Sequence, residues 1–541
     1  MSMKYHRWIL LLLVLIAYAW RIQNLGEQSL WRDEVDAVYF AVRDLPDTVA
    51  MFVQAAQNGA LYFLSLRPWF RLVGTSEFAL RYPSLLFSVL SIPLLWKVTS
   101  LLVDNHTSSK QTGTRQILPY TPFIATLFLL TNPYQVWYSQ EGKMYSLITF
   151  LALLAHWCWL RGIGLHKGYI SIRNQGQPLA FQGFTAWIGY LCTVSIAIYS
   201  HLLMILLIPF HFCWFLIAWP RSKFHWRGYG FALAGLTLPY LPMLWWQWEM
   251  LTTSERRTGF GFTPLPEVLE SLLLHHARGF LADYDLMWMS PIFFLGLAGL
   301  GLGYLEISSE PQGNLPDNRL ADWRRFLLIV SWLLLPIAFI HGLSLRQPIF
   351  TERYIIWIGP AALILMAFGI QLVWRNTGFL AKPLTIGLLI YVLSFWTYAS
   401  WQQKTLPMKY DLRSAVTYIH EQREMSPSSL LILQIPHMEF AYRYYSSDLG
   451  SYPLDGSDER LGHWRQGLWT NNSLDDERAK IQVNQEMLAL THEADEIWVM
   501  RSEVEMWDSR HLMDAWLDEH WQLVEKIGFH GAEVRHYVAK P

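Results

Sequence analysis

The chain has 541 residues, 52% of them hydrophobic and 15% aromatic, with only 16% charged, against roughly 25% in a soluble globular domain. The net charge is −1, and nothing in the charge balance is evidence for nucleic-acid binding. Cys158, Cys192 and Cys213, the three cysteines, all fall in apolar stretches, which excludes a readable disulfide framework or zinc site.

The small net charge conceals a division. From Lys404 onward the chain carries 14 Lys/Arg against 23 Asp/Glu, whereas the residues before it carry 28 against 20. A basic, apolar body is thus followed by an acidic, water-seeking tail. Twenty-eight tryptophans suit a protein with two long water–lipid boundaries, where indole rings settle.

Crossing a bilayer as a helix takes about 20 predominantly apolar residues. Eleven segments read as spans: Trp8–Leu25, Leu80–Val103, Ile117–Thr131, Tyr145–Leu160, Thr185–His201, Met204–Trp219, Tyr229–Trp246, Leu286–Tyr304, Phe326–Gly342, Tyr354–Trp374 and Leu384–Tyr398. Several are short, so the expectation is about 11. With a cytoplasmic N-terminus, the inner loops hold Lys4 and Arg7; Lys110 and Arg115; Arg161, Lys167 and Arg173; Arg221, Lys223 and Arg227; Arg319, Arg324 and Arg325; and Arg375 and Lys382. That is the basic bias of cytoplasmic loops. The first run has the charges of a signal peptide, but Tyr18-Ala19-Trp20-Arg21 offers no small-residue cleavage site, so it is read as retained.

Residues 1–401 therefore form the expected membrane domain, with outer loops over 26–78 and 249–285. Within the first loop, Asp47–Phe63 has the pattern of an amphipathic surface helix. The second loop contains Glu255-Arg256-Arg257, His275-His276 and Asp283-Tyr284-Asp285. Residues 402–541 read as a small extracytoplasmic α/β domain. Tyr410–Arg423, His437–Tyr445 and Met506–His520 have helical spacing, Ser429–Ile435 and Glu496–Met500 read as strands, and Gln522–Val538 as a hairpin. Asp455–Asp476 reads as loop. The domain has no glycine-rich phosphate turn, so it is not expected to bind a nucleotide sugar.

Four groups of residues carry candidate chemistry. Trp31-Arg32-Asp33-Glu34 sets two adjacent carboxylates just past the first span. On an extended backbone their side chains diverge, so one would act as a base while the other orients the loop; the plain alternative is a solvated loop with Arg32 as ion partner. Asn132 through Tyr145 places Pro133 at the outer end of the third span, with Glu141 and Lys143 at the mouth of the fourth. Charges there are costly, unless the two simply pair. Pro348 through Tyr354 offers Arg353 as a forked donor to phosphate, or Arg353 and Tyr354 as interface anchors. His201 ends the fifth span on the same outer side and reads more simply as a core histidine. Arg81, before Tyr82-Pro83-Ser84, either meets phosphate or snorkels.

Trp-x-Asp-Glu in the first outer loop, Phe78-Ala79-Leu80-Arg81-Tyr82-Pro83-Ser84 and Tyr138-Ser139-Gln140-Glu141-Gly142-Lys143-Met144-Tyr145 resemble the bacterial glycosyltransferase family 39 group. This group belongs to the GT-C superfamily and is similar to protein O-mannosyltransferases and the lipid A aminoarabinose transferase. The likeness continues through Phe350-Thr351-Glu352-Arg353-Tyr354 and Asp411-Leu412-Arg413-Ser414-Ala415, so it spans nearly the whole chain.

The resemblance implies transfer of a sugar, with inversion, from a polyprenyl-phosphate carrier to a protein, lipid or glycan hydroxyl on the outer side of the cell membrane. Asp33 matches the family's catalytic acid and would be the general base. Glu34 matches its supporting neighbour and Glu141 the second acidic position. Lys143 stands where arginine is more usual. Arg353 and Tyr354 would hold the donor phosphate, with Arg81 and His201 as further substrate-binding candidates. Some GT-C enzymes use a divalent metal ion, for which Asp33 and Glu141 are the candidate ligands here.

Two other readings compete: a polyprenyl-linked sugar flippase or exporter, and a non-catalytic envelope scaffold. A flippase should carry charges near mid-membrane, whereas the conspicuous charges here fall at one face.

Overall fold

The computed structural model describes residues 3–54, 57–103, 120–164, 179–218, 220, 223–252, 261–308, 322–376, 378–423, 428–435, 438–446, 464–466, 475–506 and 508–540. Lys110, Arg115, Lys167, Arg173, Arg221, Arg319 and Glu255-Arg256-Arg257 lie outside the described residues, as does most of the expected loop Asp455–Asp476. The chain forms two compact units. The first comprises Met1–Gln23, Val49–Tyr62 and Tyr82–Gln403; the second, Asn24–Thr48, Phe63–Arg81 and Lys404–Pro541.

Among the described residues, the apolar segments read from the sequence fall largely on helices of the first unit. Five helical stretches are long and apolar enough to cross a bilayer: Glu77–Val103, Gly183–Ser200, Arg324–Ser344, Glu352–Arg375 and Gly378–Thr405. Shorter apolar helices run over Thr121–Thr131, Leu202–Ala218 and Leu286–Gly301. Only a helix satisfies its own backbone hydrogen bonds in hydrocarbon, so continuous apolar sequence forces this choice.

Packing in this unit depends on close backbone approach as well as apolar bulk. Helices Leu286–Ser308 and Gly359–Asn376 meet at Gly299 and Gly369. A Cβ at Gly299 would fall 1.9 Å from the Leu365 carbonyl oxygen, and one at Gly369 would fall 2.0 Å from that of Leu295. Small residues at such crossings let membrane helices touch along their backbones.

Arg21, near the end of helix Met3–Ile22, is fully buried. Its Nε donates to Ser88 Oγ at 2.8 Å, and its Nη atoms donate to the carbonyls of Leu129 and Leu130 at 3.0 and 3.1 Å. These carbonyls close helix Thr121–Thr131 and have no acceptor duty within it, so the guanidinium satisfies them.

The second unit holds a five-stranded sheet of order β2-β1-β3-β5-β4, from β1 (Ser429–Leu433), β2 (Trp464–Gln466), β3 (Glu496–Arg501), β4 (Trp521–Phe529) and β5 (Ala532–Ala539). β1 is parallel to β2 and β3, and β5 runs antiparallel to β3 and β4. Side chains alternate between faces. Leu430, Ile432, Ile497 and Val499 bury against helices Asp476–Thr491 and Leu512–His520 through Val483, Met487, Met513 and Leu517. Trp498, of the opposite parity, stacks on His536 and meets Tyr418 of helix Leu412–Gln422.

One local expectation is corrected, and one helix is added. Asp47–Phe63 is not one helix: Leu45–Phe52 and Ala60–Val73 are separate, with Gly59 at φ 86° just before the second. Asp476–Thr491 is a helix the sequence pattern does not announce.

Candidate functional site

The carboxylate pair sits in the first turn of helix Arg32–Val42, with Trp31 as its N-cap residue. This replaces the extended backbone expected there. Trp31 provides no side-chain cap, and Asp33 and Glu34 instead place negative charge at the N-terminal turn, the end a helix dipole favours for anions. Helical phase separates the two side chains into different surroundings. Glu34 is completely buried, whereas Asp33 is partly exposed.

Glu34 is committed to structure. Its Oε1 accepts from Arg81 Nε at 2.8 Å, its Oε2 accepts from Arg81 Nη2 at 2.7 Å, and Lys409 Nζ lies 3.0 Å from Oε2. Arg81 spends its remaining donors on the chain that leads into the helix. Nη1 reaches the Leu25 and Gln28 carbonyls at 3.0 and 2.7 Å, and Nη2 reaches that of Ser29 at 3.0 Å. Guanidinium has five N–H groups, and all five are directed at protein oxygens. The expectation that Arg81 binds phosphate is therefore corrected: it fixes the loop that carries Asp33.

The same loop is gripped at several other points in this unit. The Tyr445 hydroxyl accepts from Leu30 N at 2.7 Å and donates to Glu77 Oε1 at 3.2 Å. Arg413 pairs with Glu77 and also donates to the Gly26 and Glu27 carbonyls. Gln28 Oε1 accepts from the backbone N–H groups of Met408 and Lys409. Burial, reinforced by the Glu77 charge, pushes the Tyr445 phenol up, so it stays protonated and able to donate. Next to Asp33, Arg32 Nε lies 3.9 Å from Asp33 Oδ1, and Arg32 Nη1 lies 3.2 Å from Glu503 Oε2.

The first unit holds the other candidates. Asn132 caps helix Pro133–Ser139 by accepting from Gln135 N at 3.1 Å, and Pro133 occupies a position that needs no N–H. The turn that follows buries Glu141 and Lys143. It is pinned by Ser84 Oγ donating to the Lys143 carbonyl at 2.9 Å and Ser146 Oγ donating to that of Tyr138 at 2.8 Å. Arg353 opens the 3-10 turn Glu352–Ile358 and lies over the Tyr145 ring, 5.8 Å from its centroid. Tyr354 meets the His201 ring edge-on at 4.8 Å. Tyr138 donates to Glu352 at 3.4 Å, and its hydroxyl is within electrostatic reach of Glu141 and Arg353.

Glu141, His201, Arg353 and Tyr354 are thus gathered around Tyr138, Tyr145 and Glu352. Sequence reasoning quoted those last three inside motifs but assigned them no role. A tyrosine-rich run between two charges was the available signal. Lys409 and Glu503 gave none, because their partners lie hundreds of residues away in sequence.

Among the described residues, no group of three or more His, Cys, Asp or Glu side chains is placed to hold a metal ion. Glu34 is already paired with two cations. Among the described residues, the chain thus offers no ready donor set for a resident divalent ion.

No family model and no curated protein sequence matches the chain. Solved structures do match along its whole length. ArnT from Cupriavidus metallidurans in the apo state gives a TM-score of 0.54 at 12% identity, covering 99% of this chain and 100% of that one. ArnT bound to undecaprenyl phosphate gives 0.54 at 12% identity, over 98% of this chain and 99% of that one. The archaeal oligosaccharyltransferase AglB from Archaeoglobus fulgidus, in complex with an inhibitory peptide and a dolichol-phosphate, gives 0.54 at 11% identity, over 99% of this chain and 74% of that one. At such identities the likeness is one of fold. The chain is a multi-pass membrane protein that shares the fold of ArnT and AglB.

Proposed function

We propose that this protein is a family 39-like glycosyltransferase. It moves a sugar from a polyprenyl-phosphate donor to an acceptor hydroxyl on the extracytoplasmic side, with inversion. One observation carries this reading: the fold matches, over nearly the entire chain, that of ArnT with undecaprenyl phosphate and of AglB with dolichol-phosphate.

Asp33 is the general base. It is the partly exposed member of the pair, on a helix turn that Glu34, Arg81 and Lys409 hold rigidly. The acceptor oxygen forms its bond to the anomeric carbon as the bond from that carbon to the carrier phosphate breaks, and the hydroxyl proton passes to Asp33. Arg353 and Lys143 offset the charge that develops on the departing phosphate, and Tyr354, braced by His201, lines the donor path. Glu141 helps set the local charge at Tyr138. About 11 spans with basic inner loops put the N-terminus in the cytoplasm and residues 402–541 outside the cell membrane. The acceptor is a protein, lipid or glycan, and the other substrate is membrane-borne.

Asp33→Asn tests the reading. The variant should insert and melt like the parent but lose at least about 100-fold in transfer, the lower range for removing a general base. The assay follows tritiated sugar leaving polyprenyl phosphate in an acceptor-dependent manner. Undiminished transfer by well-folded Asp33→Asn protein would refute the base assignment.

A further inference from the structure

Helix Tyr145–Gly162 is buried along its whole length except at Phe150, Leu154, Trp157 and Arg161, which are half-buried and share one face at helical spacing. Helix Glu77–Val103 lies beside it and exposes a matching row of Leu86, Leu90 and Lys97. The two rows adjoin at both ends. The Phe87 and Phe150 rings lie 5.7 Å apart, and Lys97 Nζ lies 5.3 Å from the centroid of the Trp157 ring. The Arg161 guanidinium lies over the same ring at 4.9 Å. An apolar seam within the first unit thus closes on one indole and two cations.

We propose that this seam is a binding site for one anionic diacyl phospholipid, with its headgroup phosphate held by Lys97 and Arg161 and an acyl chain along the two rows. In the topology proposed above, the lipid belongs to the cytoplasmic leaflet. The site requires only that these helices sit in a membrane, so it is independent of glycosyl transfer.

Charge and length both point to this ligand. Two like charges share one ring, and among the described residues no ion pair joins Lys97 or Arg161 to a carboxylate. A ring face attracts a cation but supplies no counter-charge, so a phosphate that reaches both cations offsets their mutual repulsion. From Phe150 to Arg161, and from Leu86 to Lys97, is eleven positions, about 16 Å of helix. One leaflet contributes roughly 15 Å of hydrocarbon. A chain laid along the apolar rows therefore brings its headgroup to the level of the cations. Trp157 sits at the depth where interfacial indoles settle, and basic pockets between membrane helices hold anionic headgroups. Simple interface anchoring would send each cation separately outward to water, and it gives no reason for both to converge on Trp157.

The test is native mass spectrometry of the delipidated full-length protein in detergent, titrated with dioleoyl phosphatidylglycerol or dioleoyl phosphatidylcholine. The parent should hold one phosphatidylglycerol about 25-fold more tightly than phosphatidylcholine, if each cation contributes the roughly fivefold expected of a basic residue at an anionic surface. Lys97→Gln and Arg161→Gln should each lose about fivefold, and the double variant should lose the preference altogether. Lys97→Arg/Arg161→Lys keeps both charges and should retain the preference, which separates lost binding from lost folding. Lys382→Gln removes a cation that also faces a ring, that of Trp374 at 5.8 Å, but lies outside the seam, and it should change nothing.

Equal retention of the two lipids by the parent would overturn the proposal without reference to any variant. A loss in Lys382→Gln as large as that in Lys97→Gln would also overturn it, by showing a diffuse surface attraction. Displacement of bound phosphatidylglycerol by millimolar inorganic phosphate would make this a phosphate site with no use for the seam. A tighter hold on polyprenyl phosphate, abolished in Lys97→Gln/Arg161→Gln, would assign the seam to the carrier instead.

Discussion

Glu34 shows how a carboxylate next to a proposed base can have an entirely different task. It is buried without exposure between Arg81 and Lys409, and two cations surround one anion. Breaking a buried pair by removing one partner typically costs about 3–5 kcal/mol, because a charge is left uncompensated. Glu34→Gln is therefore expected to lower the thermal midpoint in detergent sharply. Arg81→Lys should do likewise, since an ammonium has three donors where five are used. A role for Arg81 in phosphate binding would show the reverse, with donor KM rising in Arg81→Lys and the melting temperature unchanged. The sequence displayed the acids but not this division between them. Asp33 and Glu34 are chemically similar neighbours, and only the helical phase, Arg81 some fifty residues on and Lys409 far downstream separate their roles. Glu503 was invisible for the same reason, as an isolated glutamate in an acidic tail has no pattern that names Arg32 as its partner.

Elements were far more legible than contacts. Apolar runs such as Leu80–Val103 and Phe326–Gly342 reappear as helices Glu77–Val103 and Asp322–Ser344, because in lipid a continuous apolar run has no alternative to helix. Helix Asp476–Thr491 escaped notice because it buries only a narrow stripe, Ala479, Val483 and Met487, on an otherwise polar cylinder. Hydropathy also could not distinguish a glycine that merely interrupts a span from one that a neighbouring backbone touches. Gly299 and Gly296 lie one turn apart on the same helix, yet a Cβ at Gly296 would meet nothing within 4 Å. Gly369→Ala and Gly299→Ala are therefore expected to destabilise by about 3 kcal/mol, the upper range for overpacking, since backbone carbonyls cannot rotate aside. Gly296→Ala should be neutral or slightly stabilising. Equal melting temperatures for Gly296→Ala and Gly369→Ala would show that the two helices do not cross where the glycines place them.

The division into a basic apolar unit and an acidic one also predicts how the whole protein responds to acid. The membrane helices hold largely by apolar packing. The sheet unit, in contrast, is tied by an ionic network. Arg501 bridges Asp514 and Glu533, Arg535 Nε lies 2.7 Å from Glu533, and Lys526 Nζ lies 3.1 Å from it. Burial alone would raise the Glu533 carboxyl, but hydrogen bonds from Arg535, Lys526 and Arg501 outweigh it and hold it below its ordinary value of 4.5. A depressed carboxylate contributes stability above its unfolded value that is lost as pH falls through the folded one. Glu503 has the opposite sign: burial raises it, so acid relieves its cost between its folded value and 4.5. From these two groups, the sheet unit should hold or gain slightly as pH falls toward 4.5 and then lose stability below it. Residues 404–541 should accordingly become sensitive to protease under acid conditions in which the far-UV helical signal persists, giving two transitions rather than one. Glu533→Gln should be less stable than the parent at neutral pH and should lose less between pH 4.5 and the acid limit. An acid-side loss in Glu533→Gln as steep as the parent's would assign the effect to other carboxylates and remove Glu533 as its source.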